Sequence, residues 1–319
     1  DERIGWYQHA LNEAYRFLGN RRVDMILSSS LPSTVHLIAR RIKKKYKLPW
    51  VADFRDLWSQ NHGYPYGSFR HYLERRLEAW TLKEADALVT VSEPLAAKLS
   101  ILHRQNRIYS ITNGFDPEEF EIIREANMPQ KFVITYAGQL HSGQRDPEIL
   151  FQALEGLIKS GKIDKNKIEV NFYSGLQEAW LYEKVKKYGL HEVVHIHDYK
   201  PRSEVLRKEA SSSLLLVITW DNPEELGVYT GKVFECLGVR RPILAFGGPA
   251  GVLADLLRKT KAGFYTSTLE ELKQVLLGYY GEYIKNGRAL FHGDEEEVNK
   301  YTHRKMADRF ARVFEEVLR

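Results

Sequence analysis

Phe132-Val133-Ile134-Thr135-Tyr136-Ala137, followed directly by Gly138-Gln139-Leu140, sets the architecture of this chain. A run of aliphatic, β-branched and aromatic residues closed by a glycine reads as a buried strand ending in a turn. Apolar residues at helical spacing follow from Pro147 to Ser160, and a second apolar strand runs from Ile168 to Ser174. Strand, helix and strand at these lengths form the unit of a parallel sheet with helices on both faces.

The alternation extends in both directions. Toward the C-terminus it predicts helix Gln177–Tyr188, strand Val193–His197, helix Arg202–Ser211, strand Leu214–Trp220 and a helix from about Tyr229 to Leu237. Strand Pro242–Phe246, helix Ala250–Lys259, a short strand near Phe264, helix Leu269–Ile284 and a charged helix of about Asn299–Leu318 complete it. Toward the N-terminus, strands are expected at Val23–Ser28, Trp50–Phe54, Ala87–Val91 and Ile108–Ile111, between helices that include Val35–Lys47, Phe69–Lys83 and Glu93–Leu102. A polar stretch around Glu121–Lys131, with Pro129, marks the expected boundary. Residues 1–125 are then one doubly wound α/β domain, 126–300 a second, and 301–319 a helix expected to pack back on the first. In such sheets ligands bind beyond the carboxyl ends of the strands, so the loops after strands should carry function.

At 319 residues and 43% hydrophobic, the chain can bury two cores, and disorder is excluded for most of it. The longest apolar run, Leu214 to Trp220, is interrupted by Thr219 and falls far short of the roughly 20 residues that span a bilayer. No secretory apolar core is present either. Cys236 is the single cysteine, which rules out an intrachain disulfide and fits a reducing, cytoplasmic setting. Lys and Arg outnumber Asp and Glu by 47 to 42, a net +5 that favours anionic partners without choosing among them. Nucleic acid is disfavoured, because the basic residues are not interleaved with an aromatic stacking platform.

Two phosphate-binding motifs are approached and missed. Gly247-Gly248-Pro249-Ala250-Gly251 has the wrong spacing for a dinucleotide fingerprint. Gly227-Val228-Tyr229-Thr230-Gly231-Lys232-Val233 has three residues between its glycines where a P-loop has four, and Val233 stands where a magnesium-binding Ser or Thr belongs. Yet Thr230 and Gly231 sit where a helix begins, so unbonded N–H groups and the dipole's positive end face the loop, with Lys232 adding a full charge. Glu235 lies one turn on and could accept hydrogen bonds from sugar hydroxyls. Diphosphate plus ribose fits these groups; a capped helix with an ion pair between Lys232 and Glu235 is the other reading.

Thr230-Gly231-Lys232-Val233-Phe234-Glu235-Cys236-Leu237 with Arg241-Pro242-Ile243-Leu244 resembles the nucleotide-binding segment of family 4 glycosyltransferases. Ile111-Thr112-Asn113-Gly114-Phe115-Asp116 with Phe120 is similar to the loop closing their N-terminal domain. Tyr136 to Leu140 with Gly143-Gln144-Arg145-Asp146-Pro147 is similar to the first loop of their C-terminal domain. Pro49 to Trp58 and Val89 to Glu93 match N-terminal strands. The resemblance implies a GT-B fold, two Rossmann-like parallel-sheet domains facing a cleft, with the first strands of the N-terminal domain expected to be missing. It also implies a retaining, metal-independent, hexosyltransferase-type enzyme using a UDP or GDP sugar and no further cofactor.

On that resemblance, Gly138 admits the donor diphosphate, Gln139, Thr230 and Gly231 lie beside it, Arg145 and Lys232 neutralise it, and Glu235 holds the ribose. A second family glutamate would stand eight residues before Glu235, where this chain has Gly227. Where many members carry Arg after the first glycine, it has Gln139. On the acceptor side, Arg55 and Asp56 fall where relatives often have a His-Asp pair. Arg cannot act as a base, so Asp56 or Asp53 would orient the acceptor hydroxyl; the alternative is an Asp–Arg pair that fixes the loop. Ser29 and Ser30, with Asn113, are further acceptor-side candidates, the serines for an acceptor phosphate or simply as turn residues.

Other features carry less. His191, His195 and His197 lack further ligands at zinc spacing and are read as structural. The basic helix end Arg40, Arg41, Lys43, Lys44, Lys45 and Lys47, with Arg70, Arg75 and Arg76, reads as a solvated face or as peripheral contact with the anionic inner face of a membrane bearing a lipid-linked acceptor. Trp58, His62, Tyr64, Tyr66 and Phe69 read as a mobile aromatic loop. The expected function is sugar transfer to a glycan or lipid-linked acceptor in surface polysaccharide or glycan assembly. A sugar-nucleotide 2-epimerase and a non-catalytic sugar-nucleotide-binding scaffold are the alternatives.

Overall fold

The computed structural model describes residues 4–61, 63, 66–121, 129–175 and 179–319. His62 and Tyr64 of the expected aromatic loop, Pro65, and Gln177, the expected start of a helix, lie outside the described residues, as does most of the expected boundary stretch. The chain divides into two units, residues 1–113 with 304–319, and residues 114–303.

The first unit contains α1 (Tyr7–Asn20), β1 (Ile26–Ser30), α2 (Thr34–Tyr46), β2 (Trp50–Phe54), α3 (Ser68–Leu82), β3 (Ala87–Thr90), α4 (Glu93–Leu102) and β4 (Arg107–Ser110). Its four strands lie in chain order and all pair in parallel. Parallel crossovers of one hand that advance in one direction send their helices to one face. Ala39 of α2, Leu82 of α3 and Leu99 of α4 accordingly pack on Trp50, Ala52, Phe54 and Leu88. The opposite face, Val51, Ala87 and Val89, is covered by the C-terminal helix His303–Leu318 through Met306, Phe310, Val313 and Phe314. The first strand sits later than its apolar run suggests. Ser28, Ser29 and Ser30 belong to β1, because each backbone pairs with β2, and the expected serine loop is a strand end.

The second unit contains α5 (Pro117–Glu121), β5 (Phe132–Ala137), α6 (Glu148–Lys159), β6 (Ile168–Tyr173), α7 (Ala179–Lys187), β7 (Val194–His197), α8 (Arg202–Ala210) and β8 (Leu214–Ile218). It continues through α9 (Gly231–Val239), β9 (Ile243–Phe246), α10 (Val252–Thr260), β10 (Gly263–Thr266), α11 (Leu269–Asn286) and α12 (Glu295–Asn299). The parallel sheet has the order β10-β9-β8-β5-β6-β7, a doubly wound arrangement whose direction reverses between β5 and β8. α6, α7 and α11 bury Leu154, Val185 and Leu276 on one face. On the other, α8, α9 and α10 bury Leu206, Val233, Leu237 and Leu256. β5 pairs with β6 along its whole length but with β8 only at Ile134 and Thr135, which opens the sheet at its switch point.

Two expected boundaries move. The division falls after Asn113 rather than near 125, because Phe115 and Phe120 are buried in the second unit's core and Phe115 N–H donates to the Tyr301 carbonyl at 3.0 Å. The single helix expected over Asn299–Leu318 is broken at Lys300–Thr302, where Thr302 bridges Phe115. No helix among the described residues is long and apolar enough to cross a membrane.

Candidate nucleotide-binding site

A cavity of about 150 Å³ opens at the switch point, lined by Gly138, Arg145, Ile218, Thr230, Gly231 and Lys232, among others. Five of these are residues that the sequence pointed to, and each arrives on a different structural rationale. Gly138 ends β5 with φ of +145°, a conformation that side chains rarely adopt, and its N–H donates to the Tyr173 carbonyl at 3.2 Å. The loop after it is tied down by the Tyr136 hydroxyl, which donates to the Gln139 carbonyl at 3.0 Å, and by Arg145 Nη1 on the same oxygen at 3.5 Å. The Gln139 side chain is exposed and does not line this cavity.

α9 begins at Gly231, two residues later than its apolar periodicity suggested, with Thr230 as N-cap and no side-chain cap. Its first N–H groups and dipole therefore face the cavity, an arrangement suited to an anion. Lys232 donates to Glu209 Oε1 at 3.2 Å and to Glu235. Burial opposes its charge, but the carboxylates of Glu209 and Glu235 outweigh that, and its pKa is raised, so it stays protonated. Glu209 is 1% exposed, and burial pushes its carboxyl up to about 7 against the pull of Lys232, with Glu235 adding repulsion.

Glu235, the expected ribose ligand, is held on its other oxygen by Arg202, whose guanidinium also grips Glu119 at 2.7 and 2.8 Å. Glu119, Arg202, Lys232 and Glu235 share the wall of a second cavity, about 390 Å³, with Asp116 and His303. The expected ion pair of Lys232 with Glu235 is thus present, beside a cavity lined by the residues expected at the donor diphosphate. Sequence reading missed Glu209, Arg202 and Glu119. Arg202 and Glu209 stand seven apart on α8, one helical face, but an acid in a charged helix reads as solvent-facing until α9 is packed against it. A further cavity of about 340 Å³, at Lys165, Lys186, Gly189 and Glu192, contains none of the expected site residues.

In the first unit, Asp53 is 4% exposed and its carboxylate accepts from Ser29 Oγ at 2.7 Å and from Arg55 Nε at 2.9 Å. Arg55 Nη1 donates to the Ile111 carbonyl at 3.1 Å and to Asn113 Oδ1 at 3.0 Å. Ser30 is buried, with its hydroxyl on the carbonyls of Asp53 and Asp56. Ser29, Asp53, Arg55 and Asn113 therefore form one chain, the loop-fixing pair that the sequence left as an alternative, while Asp56 is exposed beside it. The serine hydroxyls are engaged within this network rather than presented as a phosphate turn.

Two other expectations change. Trp58 is buried with its indole N–H on Glu74 at 3.1 Å, and Phe69 lies on α3, so neither belongs to a mobile loop. The basic end of α2 is not simply solvated: Arg40 is buried over the Trp80 ring, Lys43 pairs with Asp86, and Lys44 reaches Glu84 at 3.2 Å. His197, read as structural, keeps that reading: its Nε2 donates to Asn171 Oδ1 at 2.6 Å, its ring stacks on Tyr173 at 4.7 Å, and burial lowers its pKa.

The whole chain has the GT-B fold of known glycosyltransferase structures. Sucrose-phosphate synthase from Thermosynechococcus elongatus is 12% identical, with 98% of this chain and 78% of that one covered and a TM-score of 0.70. HepE of Anabaena, solved in complex with UDP-glucose, is 15% identical over 97% of this chain and 82% of its own, with a TM-score of 0.67. A glycosyltransferase from Rickettsia africae is 14% identical over 99% and 81%, also at 0.67. Residues 1–119 match the model of the family described as Glycosyltransferase Family 4, in agreement with the resemblance read from the motifs of that stretch. No curated protein sequence matches the chain.

Proposed function

We propose that the protein transfers a sugar from a nucleotide-diphosphate donor, of the UDP or GDP type, to a glycan or lipid-linked acceptor with retention of configuration. One observation carries the reading: Gly138, Arg145, the start of α9 and Lys232 surround a single cavity at the switch point of the second sheet. A diphosphate placed there meets unblocked N–H groups, a helix dipole, a guanidinium and an ammonium. These groups are fixed before charge develops on the departing diphosphate, so they stabilise the transition state without reorganising. In this reading they supply the positive charge themselves and a metal is not required. Glu235 exchanges Arg202 for the ribose hydroxyls when the donor enters. Retention follows if the acceptor attacks from the face the diphosphate leaves, with its phosphate oxygen taking the proton, since no carboxylate on the donor side is placed as a nucleophile in this scheme.

A non-catalytic sugar-nucleotide binder is the second reading, favoured by the commitment of Asp53 to Ser29 and Arg55. Hydrolysis and transfer assays with UDP- and GDP-sugars decide between them. The proposal expects turnover that Lys232→Ala and Glu235→Ala each reduce by at least about tenfold, the size of one lost charge-assisted contact. Donor binding without turnover supports the binder.

A further inference from the structure

α3 is amphipathic the wrong way round for a helix of a self-contained unit. Phe69, Tyr72, Leu73, Leu77 and Trp80 recur at helical spacing on its solvent side, 75%, 55%, 49%, 38% and 48% exposed. Its inward side carries Glu78 and Thr81, both fully buried. Glu78 is retained there by partners: the Ser59 N–H donates to it at 2.9 Å and His103 Nε2 stands 3.2 Å away. An aligned stripe of large apolar side chains facing water marks a surface that something covers.

The surroundings say what. Arg76 lies within the stripe and donates to the Tyr72 hydroxyl at 2.8 Å, and Arg70 and Arg75 flank it. α2 packs alongside, with the Arg40 guanidinium 3.3 Å from the centre of the Trp80 ring, and its exposed Lys44 reaches Glu84 just past the end of α3. The nearby acids are already compensated: Glu74 by Arg70 at 3.1 Å, Glu84 by Lys44 at 3.2 Å. The outward charge is cationic throughout, so a second copy docked stripe to stripe would set arginine against arginine. Aromatic rings and leucines between arginines and lysines instead match the boundary between headgroups and acyl chains of an anionic bilayer.

We propose that α3 is an interfacial docking surface for anionic lipid. The side chains of Phe69, Leu73, Leu77 and Trp80 enter the acyl boundary while Arg75 and Arg76 meet lipid phosphates. The proposal rests on the first unit alone and does not depend on what the nucleotide-binding site does.

Cosedimentation of the full chain with large vesicles tests it, using phosphatidylcholine alone and phosphatidylcholine with phosphatidylglycerol at three to one. Binding to the anionic vesicles only, weakened by added salt, is expected. Arg75→Gln with Arg76→Gln should lower the partition coefficient about fivefold per charge. Leu73→Ser with Leu77→Ser should lower it about tenfold or more, with the melting temperature reporting that each variant is folded. If the leucine variant does not fold, the arginine variant decides. The proposal is overturned by sedimentation with neither vesicle, or by variants that bind as the parent does. It is equally overturned by a dimer in solution that Leu73→Ser dissolves while no vesicle binding is seen.

Discussion

Lys232 and Glu209 face each other at 3.2 Å with very different exposure, and their chemistry differs accordingly. The lysine lines the cavity at the start of α9; the glutamate, with Oε2 unpartnered in the interior, does not. A carboxyl whose folded pKa is raised holds a proton that the unfolded chain has already released. Its contribution to stability is therefore present below the ordinary carboxylate range and is lost as pH rises toward 7. Chemical denaturation at pH 5 and pH 8 should show the parent losing stability over that interval relative to Glu209→Gln; parallel curves would rule out the protonation. At this scale the sequence was readable where spacing alone sets the geometry. Lys232 and Glu235 meet because they are one turn apart, and Gly138 ends a strand. Asp53 and Ser29 meet through the pairing of β1 with β2, and Glu209 meets Lys232 through the packing of α8 on α9. Neither contact has a local signature.

Elements were legible wherever an apolar run was bounded by turn residues, which describes every strand of the second unit. The exceptions have a common cause, tertiary contact overriding local pattern. β1 absorbs three serines because β2 supplies hydrogen bonds to the serine backbone. α5 belongs with the second unit because Phe120 fills a gap above α9 that only a glycine leaves. A Cβ on Gly238 would lie 2.6 to 2.8 Å from carbons of the Phe120 ring, which is 1% exposed and has nowhere to go. Alanine would otherwise favour the helix by about 1 kcal/mol, but a Cβ this close to a ring that cannot move puts the overpacking cost at about 3 kcal/mol, and overpacking wins. Gly238→Ala should therefore lower the melting temperature, and Phe120→Leu in the same chain should recover part of the loss. A variant as stable as the parent would contradict this packing.

The whole chain builds one unit from two distant pieces of sequence. Strands laid in chain order leave the Val51, Ala87 and Val89 face bare, and the last helix supplies the missing layer with Phe310, Val313 and Phe314. Removing residues 304–319 should expose that face, measured as a gain in fluorescence of a dye that binds apolar surface and as a lower first melting transition. An unchanged melt would show the layer to be dispensable. The two-domain plan was legible because two series of strands alternate with helices on either side of a polar stretch. The division itself was not, because Phe115 and Phe120 look like any apolar residues of a loop until the core that takes them is known.

Calorimetric titration of UDP and GDP into the parent chain, Arg145→Ala and Lys232→Ala tests the diphosphate cavity most directly. One of the two nucleotides should bind the parent at a single site, with about tenfold or greater weakening in each variant, as expected for a lost charge-assisted contact. No binding of either nucleotide, or equal affinity in all three proteins, would place the donor elsewhere and contradict the account.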